Sequence, residues 1–188
     1  MSPTVVLALA ATVVVRSSTV GPPPERGVAL GLFSADDAFD YTPLLDELVS
    51  VGATHVELTY VWWQDDVAAT SLGPLPDWSA SDAQVVATAR AARARGLHVT
   101  VFPIIRLAKQ QPGQWRGTLA PRDEDAWWHS YTAMILHAAE LARRGGAQRL
   151  AIGSELVSRE RQRARWVELA DRVRVHAPQL ELLYSANW

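Results

Sequence analysis

The 188-residue sequence contains no cysteine, which excludes disulfide bonds and thiolate metal sites. It also lacks an excess of either charge, with 18 Lys and Arg against 20 Asp and Glu. A nucleic-acid-binding protein is expected to carry a basic face, so this balance argues against that class. The five histidines show neither H-x-x-x-H nor H-x-H spacing. We therefore expect no nucleic-acid partner, no metal and no other cofactor.

Several enzyme signatures are also missing. The sequence has no G-x-G-x-x-G and no G-x-x-x-x-G-K-[ST], so a nucleotide-binding α/β enzyme is disfavoured. Neither Ser154 nor Ser185 lies in a G-x-S-x-G elbow, which argues against a serine hydrolase.

Long hydrophobic runs are absent too. The apolar run from Val5 to Val15 is too short to span a bilayer but has the length of a signal-peptide core. We interpret residues 1–26 as a signal-peptide-like segment followed by a proline-rich linker, and residues 27–188 as the folded part. A secreted or periplasmic location is expected, while the missing basic residues before the run leave a cytoplasmic location open.

From residue 27 onward, apolar runs alternate with helical patterns. The order strand, helix, strand, with near-continuous apolar strands, is typical of a parallel sheet covered by helices. Thr42 and Pro43 predict one helix start, and Ser79 with Asp82 predicts a capping box at another. The predicted strands cover residues 27–33, 54–63, 97–107, 149–155 and 180–188.

The connections differ in length according to their direction. Helix-to-strand links are short, whereas the strand-to-helix links at 64–78 and 108–122 are long. A (β/α)8 barrel has this asymmetry because its active site is built from loops at the C-terminal ends of the strands. Eight strands and roughly 250 residues are usual for that fold. The sequence therefore predicts an α/β fold, a (β/α)8 TIM barrel truncated to about its first five strands.

The alternation of strand side chains predicts which of them face the barrel interior. Apolar residues at every second position are assigned to the helix-facing side. The intervening positions then point inward, and four of them end their strands: Trp63, Arg106, Glu155 and Asn187. Glu57 points inward as well but lies deeper, so we expect it to be a core residue paired with His55 or His98.

Glu155 is the candidate catalytic acid or base, with a strand-end salt bridge as the alternative. Arg106 either fixes a partner carboxylate or forms a structural ion pair with Asp65 or Glu155. The flat rings of five tryptophans at strand ends or in long loops could stack on sugars, with simple packing as the alternative for each. These are Trp62, Trp63, Trp78, Trp115 and Trp188.

Five blocks of sequence together resemble a known family. They read GATHVELTYVWWQDDVAAT, GLHVTVFPIIRL, WRGTLAPRDEDAWWHSY, LAIGSELVS and LLYSANW. In this order, over roughly residues 27–188, they are similar to glycoside hydrolase family 113 and its close relatives. Those proteins are sugar-cleaving (β/α)8 barrels of clan A, described mainly as β-mannanases.

The resemblance implies that Glu155 is the acid/base of a retaining mechanism with a covalent glycosyl-enzyme intermediate. The family's nucleophile is a glutamate near the end of the seventh strand, which this sequence does not reach. Ser154 also stands where the wider clan usually has asparagine before the acid/base.

The sequence is thus interpreted as the N-terminal part of a glycoside hydrolase acting on a β-linked polysaccharide or oligosaccharide. Its carbohydrate substrate is expected to contact Trp62, Trp63, Arg106, Trp115, Asn187 and Trp188. Because half of the catalytic pair is missing, we expect the 188-residue product alone to be inactive and poorly stable. The alternative is a non-catalytic carbohydrate-binding or scaffold protein derived from such a barrel.

Overall fold

The computed structural model describes residues 24–34 and 36–186. The apolar N-terminal run, Asn187 and Trp188 lie outside the described residues, so the roles expected for them stay predictions. Within the described part, no helix is both long and apolar enough to cross a membrane.

Strands and helices alternate along the described chain. The strands are β1 (Gly27–Gly31), β2 (His55–Gln64), β3 (Leu72–Gly73), β4 (His98–Leu107), β5 (Arg149–Ser154) and β6 (Glu181–Ser185). The helices are α1 (Thr42–Ser50), α2 (Asp82–Ala94), α3 (Glu124–Gly145) and α4 (Arg163–His176), and a short 3-10 turn covers Arg116–Thr118.

The sheet has the strand order β1-β2-β4-β5-β6, with every neighbouring pair parallel. Parallel strands that follow one another in chain order, with a helix between each successive pair, form an arc of a TIM barrel. The predicted fold class is confirmed. The two-residue strand β3 was not predicted; it folds back antiparallel onto the end of β2 inside the first long loop.

Side-chain caps fix where two of the helices begin. The N-cap of α2 is Ser81, whose hydroxyl accepts a hydrogen bond from the backbone N–H of Gln84 at 3.2 Å, so the capping box predicted from Ser79 was wrong. Asp123 caps α3 by accepting from the N–H of Ala126 at 3.0 Å. At the other end of α3, Gly146 takes a φ of 71°, a conformation that favours glycine.

Buried apolar side chains form two separate clusters, one on each face of the sheet. The larger cluster lies between the sheet and the helices and includes Val56, Leu58 and Tyr60. The smaller cluster lies on the opposite, inner face and consists of Val61, Phe102, Ile104 and Ala151, with Trp63 packed against it. This division follows the predicted alternation of inward and outward positions.

An aromatic cluster fastens α3 and α4 to the sheet beneath the site. Its rings pack edge-on or stacked, as with Trp127 and Tyr131 at 4.9 Å and Trp128 and Trp166 at 5.1 Å. The Tyr131 hydroxyl donates to the carbonyl of Ile152 at 2.8 Å. The cluster anchors α3 against β5, the strand that leads to Glu155.

Candidate active site

Three of the expected site residues lie at the C-terminal ends of neighbouring strands, and two of them, Trp63 and Arg106, share the inner face. Trp63 of β2 and Arg106 of β4 are direct register partners. The Arg106 guanidinium lies 5.3 Å from the ring centroid of Phe33, which follows β1. Glu155 follows the last residue of β5. The strand ends therefore converge on one mouth, where a ligand of a barrel enzyme binds.

The backbone of Glu155 has an uncommon conformation. Its φ is 52°, in the left-handed region that non-glycine residues seldom adopt. Its N–H donates to the carbonyl of Ser185 on β6 at 2.9 Å, which holds this conformation in place. The register between β5 and β6 also shifts between Ala151 and Ser154. Backbone strain of this kind tends to occur at functional sites, where the surrounding contacts maintain it.

The carboxylate of Glu155 forms an ion pair with Arg116, a residue that sequence reasoning missed. Arg116 begins the 3-10 turn in the long loop between β4 and α3. The two side chains are partly exposed, 30% for Glu155 and 26% for Arg116, so the pair borders the open mouth. Arg116 belongs to a block that carried the family resemblance, but no spacing in the sequence pointed to this contact.

Neither of the ion pairs considered for Arg106, with Asp65 or with Glu155, is formed. Asp65 is bonded by Lys109 at 2.9 Å, and Glu155 by Arg116. Arg106 lies instead over the Phe33 ring, and no carboxylate pairs with it within residues 24–34 and 36–186. The reason is that the loop after β4 folds back over β5 and brings a closer arginine to Glu155.

Aromatic side chains border the mouth next to β2. The Trp63 indole N–H donates to the carbonyl of Trp78 at 3.4 Å, and the two rings meet edge-on at 6.2 Å. Trp78 is 67% exposed, which leaves its ring free to contact a ligand. Beside Trp63 is a cavity of about 260 Å³, lined also by Asp65, Ala108 and the segment 71–75.

Of the five tryptophans expected to contact sugars, the other two that are described, Trp115 and Trp62, differ in their positions. Trp115 is half-buried and precedes Arg116; its ring covers Gly117, where an added Cβ would overlap the ring. Trp62 is not at the mouth: it packs with the helix-side cluster, 5.5 Å from the His137 ring of α3. The expectation that Trp62 contacts substrate was wrong, because Trp62 lies two residues after Tyr60 and its side chain points to the same helix-facing side of β2.

Glu57 lies inside the barrel, far below the mouth. Burial raises the pKa of its carboxyl, and a hydrogen bond with Thr59 partly offsets that effect. The expected pairing with histidine is not found, since His55 stacks on His98 at 4.8 Å and its Nε2 is 3.4 Å from Glu25. In the part of the chain that the structure describes, no group of three or more His, Asp or Glu side chains could hold a metal ion.

The sequence profile of Glycoside Hydrolase Family 113 matches residues 30–183, which is most of the chain. The chain belongs to this family. No curated protein sequence matches it.

Solved structures with the same architecture as this family 113 chain include two mannanases. One is the GH113 β-mannanase of Alicyclobacillus acidocaldarius, with 24% identity, a TM-score of 0.76, and coverage of 87% of this chain and 54% of that chain. The other is a GH113 β-1,4-mannanase, with 19% identity, a TM-score of 0.74, and coverage of 86% and 54%. At these identities the likeness shows the fold. The family 113 chain spans about half the length of both.

The site of the family 113 chain presents one carboxylate beside aromatic rings. Glycosidases of most families need two, one to protonate the leaving oxygen and one to act as nucleophile or base. Among the described residues, Glu155 is the one glutamate that directly follows a parallel strand of the sheet. Asp65 follows β2 but is already paired with Lys109. Glu155 is likewise paired with Arg116, and its place directly after β5 makes it the candidate for acid/base chemistry in the described part of the site.

Proposed function

We propose that this family 113 chain carries the acid/base residue of a retaining glycoside hydrolase that cleaves β-linked mannose polysaccharides or oligosaccharides. The observation that supports it most is Glu155 itself: a partly exposed carboxylate at the mouth of the barrel, held at a φ of 52°. Mannan is proposed as substrate because the two similar family members are β-mannanases.

In this proposal Glu155 protonates the glycosidic oxygen as the bond breaks, then takes a proton from the water that attacks the glycosyl-enzyme intermediate. A second carboxylate, about 5–5.5 Å from the first in retaining enzymes, acts as nucleophile. We propose that it comes from outside the described residues and that residues 1–188 alone do not turn over substrate. Arg106, which has an exposed guanidinium and no ion pair within the described residues, is proposed to fix that carboxylate.

Sugar binding is assigned to the aromatic side chains at the mouth. Trp63 and Trp78 form an edge-on pair beside the 260 Å³ cavity, and indole rings offer flat apolar area with a polar N–H. Trp115 is proposed to contact substrate next to Arg116. Asn187 and Trp188 are also proposed to contact the carbohydrate substrate.

The decisive experiment uses Glu155→Ala in the complete gene product with two substrates. Mannan hydrolysis should fall sharply, because an unactivated leaving group needs the proton. An aryl β-mannoside with an acidic phenol as leaving group needs no proton, so formation of the glycosyl-enzyme intermediate should persist in the variant. Added azide should then attack this intermediate, restore turnover and yield a β-mannosyl azide. Glu160→Ala is the matched control: Glu160 lies in the same loop and accepts from the Tyr184 hydroxyl at 2.9 Å.

Two results would argue against the proposal. If Glu155→Ala hydrolyses mannan at the rate of Glu160→Ala, Glu155 is not the acid/base. If the wild-type gene product binds manno-oligosaccharides but cleaves neither substrate, the alternative of a non-catalytic binding protein is favoured.

A further inference from the structure

Arg159 is a buried arginine four residues beyond Glu155, in the loop between β5 and α4. It is 7% exposed, and arginine is seldom buried without partners. Its Nη1 pairs with the carboxylate of Glu124 in the first turn of α3. Its Nη2 donates to the carbonyl oxygen of Leu119 at 3.0 Å. The planar guanidinium thus serves two partners at once, which a lysine cannot do in the same geometry.

These contacts fasten the turn that carries Arg116. Leu119 directly follows the 3-10 turn, and Arg159 holds its carbonyl oxygen. The N–H of Ser158 donates to the carbonyl oxygen of Gly117, inside the turn, at 3.1 Å. The loop that follows Glu155 therefore donates hydrogen bonds to two carbonyl oxygens of the loop that carries Arg116.

Within the described residues the side chain of Arg116 has one hydrogen-bonding partner, Glu155, so its position depends on the turn that carries it. The turn is also anchored by Ala120, whose N–H donates to the carbonyl of Val67 at 2.7 Å. Nη2 of Arg116 contacts Glu155, while its Nε is buried and has no hydrogen-bond partner within residues 24–34 and 36–186. An ion pair at a partly exposed mouth is weak on its own, since ordering two long side chains costs entropy. The orientation of the Glu155 carboxylate thus depends on where the turn is held.

We propose that Arg159 is a positioning residue that holds Arg116 against the carboxylate of Glu155. Its consequence for catalysis rests on the proposed function, in which Glu155 is the acid/base. Arg159 is not expected to touch substrate, since its guanidinium is buried against α3 and the turn.

The chain offers a matched control in Arg165. Like Arg159 it pairs with an acidic side chain in the first turn of α3, in this case Asp125. Unlike that of Arg159, its side chain is 39% exposed and, among the described residues, has no hydrogen bond to the 116–119 segment. A variant of Arg165 therefore removes a similar ion pair without loosening the turn.

The first readout is spectroscopic and needs no turnover. In ¹⁵N-labelled protein the Arg116 Nε–H signal, assigned by its loss in Arg116→Lys, should be distinct and slow to exchange because the atom is buried. It should persist in Arg165→Met and broaden or exchange rapidly in Arg159→Met, while the indole signals of Trp127 and Trp128 show that the protein stays folded. In Arg159→Lys, which keeps the charge, the exchange rate of the Arg116 signal should be intermediate. This variant replaces Arg159→Met in the test if Arg159→Met does not fold. An unchanged Arg116 signal in the folded Arg159 variant would overturn the proposal.

The second readout is turnover by the complete gene product. Misplacing a catalytic group by about 1 Å can cost roughly 100-fold, so Arg159→Met should lower kcat by about 10- to 100-fold with KM changed far less. Arg165→Met should match the wild type, and Arg159→Lys should recover part of kcat. If the wild type is active and Arg159→Met has the same kcat, the proposal is wrong. If the wild type is inactive, the proposed function is contradicted, and the Arg116 Nε–H signal alone tests whether Arg159 positions Arg116.

Discussion

The ion pair between Arg159 and Glu124 predicts an unequal response to removing its two partners. The side chain of Arg159 is 8% exposed and that of Glu124 is 46% exposed. Glu124→Ala leaves a buried guanidinium without its carboxylate, and breaking a buried pair in this way costs about 3–5 kcal/mol. Because water reaches the Glu124 side of the pair, we expect the lower end of that range.

Arg159→Met should cost less. Glu124 would remain half-exposed at the start of α3, where an acidic side chain is favourable, and it would still accept from Gln162 at 3.2 Å. The main loss is the hydrogen bond to the Leu119 carbonyl, worth about 1.5–3 kcal/mol when the donor is charged. The methionine chain would keep part of the apolar packing of the arginine stem.

Urea unfolding followed by tryptophan fluorescence measures both values, with the slope m checked for constancy. Asp125→Ala is the control, because its pair with Arg165 is exposed and should contribute about 0–1 kcal/mol. If Arg159→Met proves as destabilising as Glu124→Ala, the cost does not come from an unpaired buried charge and the reasoning is wrong.

The same pair predicts a dependence on pH. The hydrogen bond from Arg159 is the main cause that lowers the pKa of Glu124 below its ordinary value of 4.5. A group whose pKa is depressed by folding stabilises the protein above its unfolded pKa and loses that contribution as the pH falls through the folded value. The free energy of unfolding should therefore drop more steeply below pH 4.5 in the wild type than in Glu124→Gln. Parallel curves would contradict this.

Three further predictions follow from other parts of the molecule. Tyr131→Phe should lower the free energy of unfolding by about 1–3 kcal/mol in urea titrations, because it leaves a buried β5 carbonyl without its donor. Trp63→Ala should weaken manno-oligosaccharide binding in calorimetry with a modest loss of stability, whereas Trp62→Ala should lower the melting temperature and leave binding unchanged; the reverse pattern would return Trp62 to the site. The hydrogen-bonded ion pair with Arg149 lowers the pKa of Glu25 to about 2. A carboxyl whose pKa is lowered by folding loses its stabilising contribution as the pH falls, so the melting temperature of the wild type should drop between about pH 4.5 and 2, and that of Glu25→Gln should drop less.

The positions of Trp63 and Arg106 could be predicted because strand geometry is rigid. Successive side chains of a strand alternate between its two faces, so an apolar set on one face fixes the direction of all the others. The same rule, applied strictly, would have put Trp62 under the helices with Tyr60. Its inclusion in the predicted site came from its residue type and not from its position.

The contacts of Glu155 could not be predicted because they come from loops. Arg116 lies 39 residues before Glu155, and nothing local determines that a turn in the loop after β4 reaches over β5. The length of that loop suggested function, but its conformation depends on Arg159, Glu124 and Ser158, whose roles emerge only when α3 and α4 are packed. For the same reason the short strand β3 escaped prediction, since a two-residue pairing leaves no periodic pattern.

The sheet and the loops thus determine different properties of the site. The sheet determines that a carboxylate follows β5 and that its backbone is bonded to Ser185 of β6. The direction of the carboxylate then depends on an arginine from another loop, and that loop is held by a buried arginine from the carboxylate's own loop. Loss of the Tyr131 bond to β5 should therefore lower stability and leave kcat nearly unchanged, whereas loss of the Arg159 contacts should lower both stability and kcat. Comparing kcat of the Tyr131 and Arg159 variants separates the two.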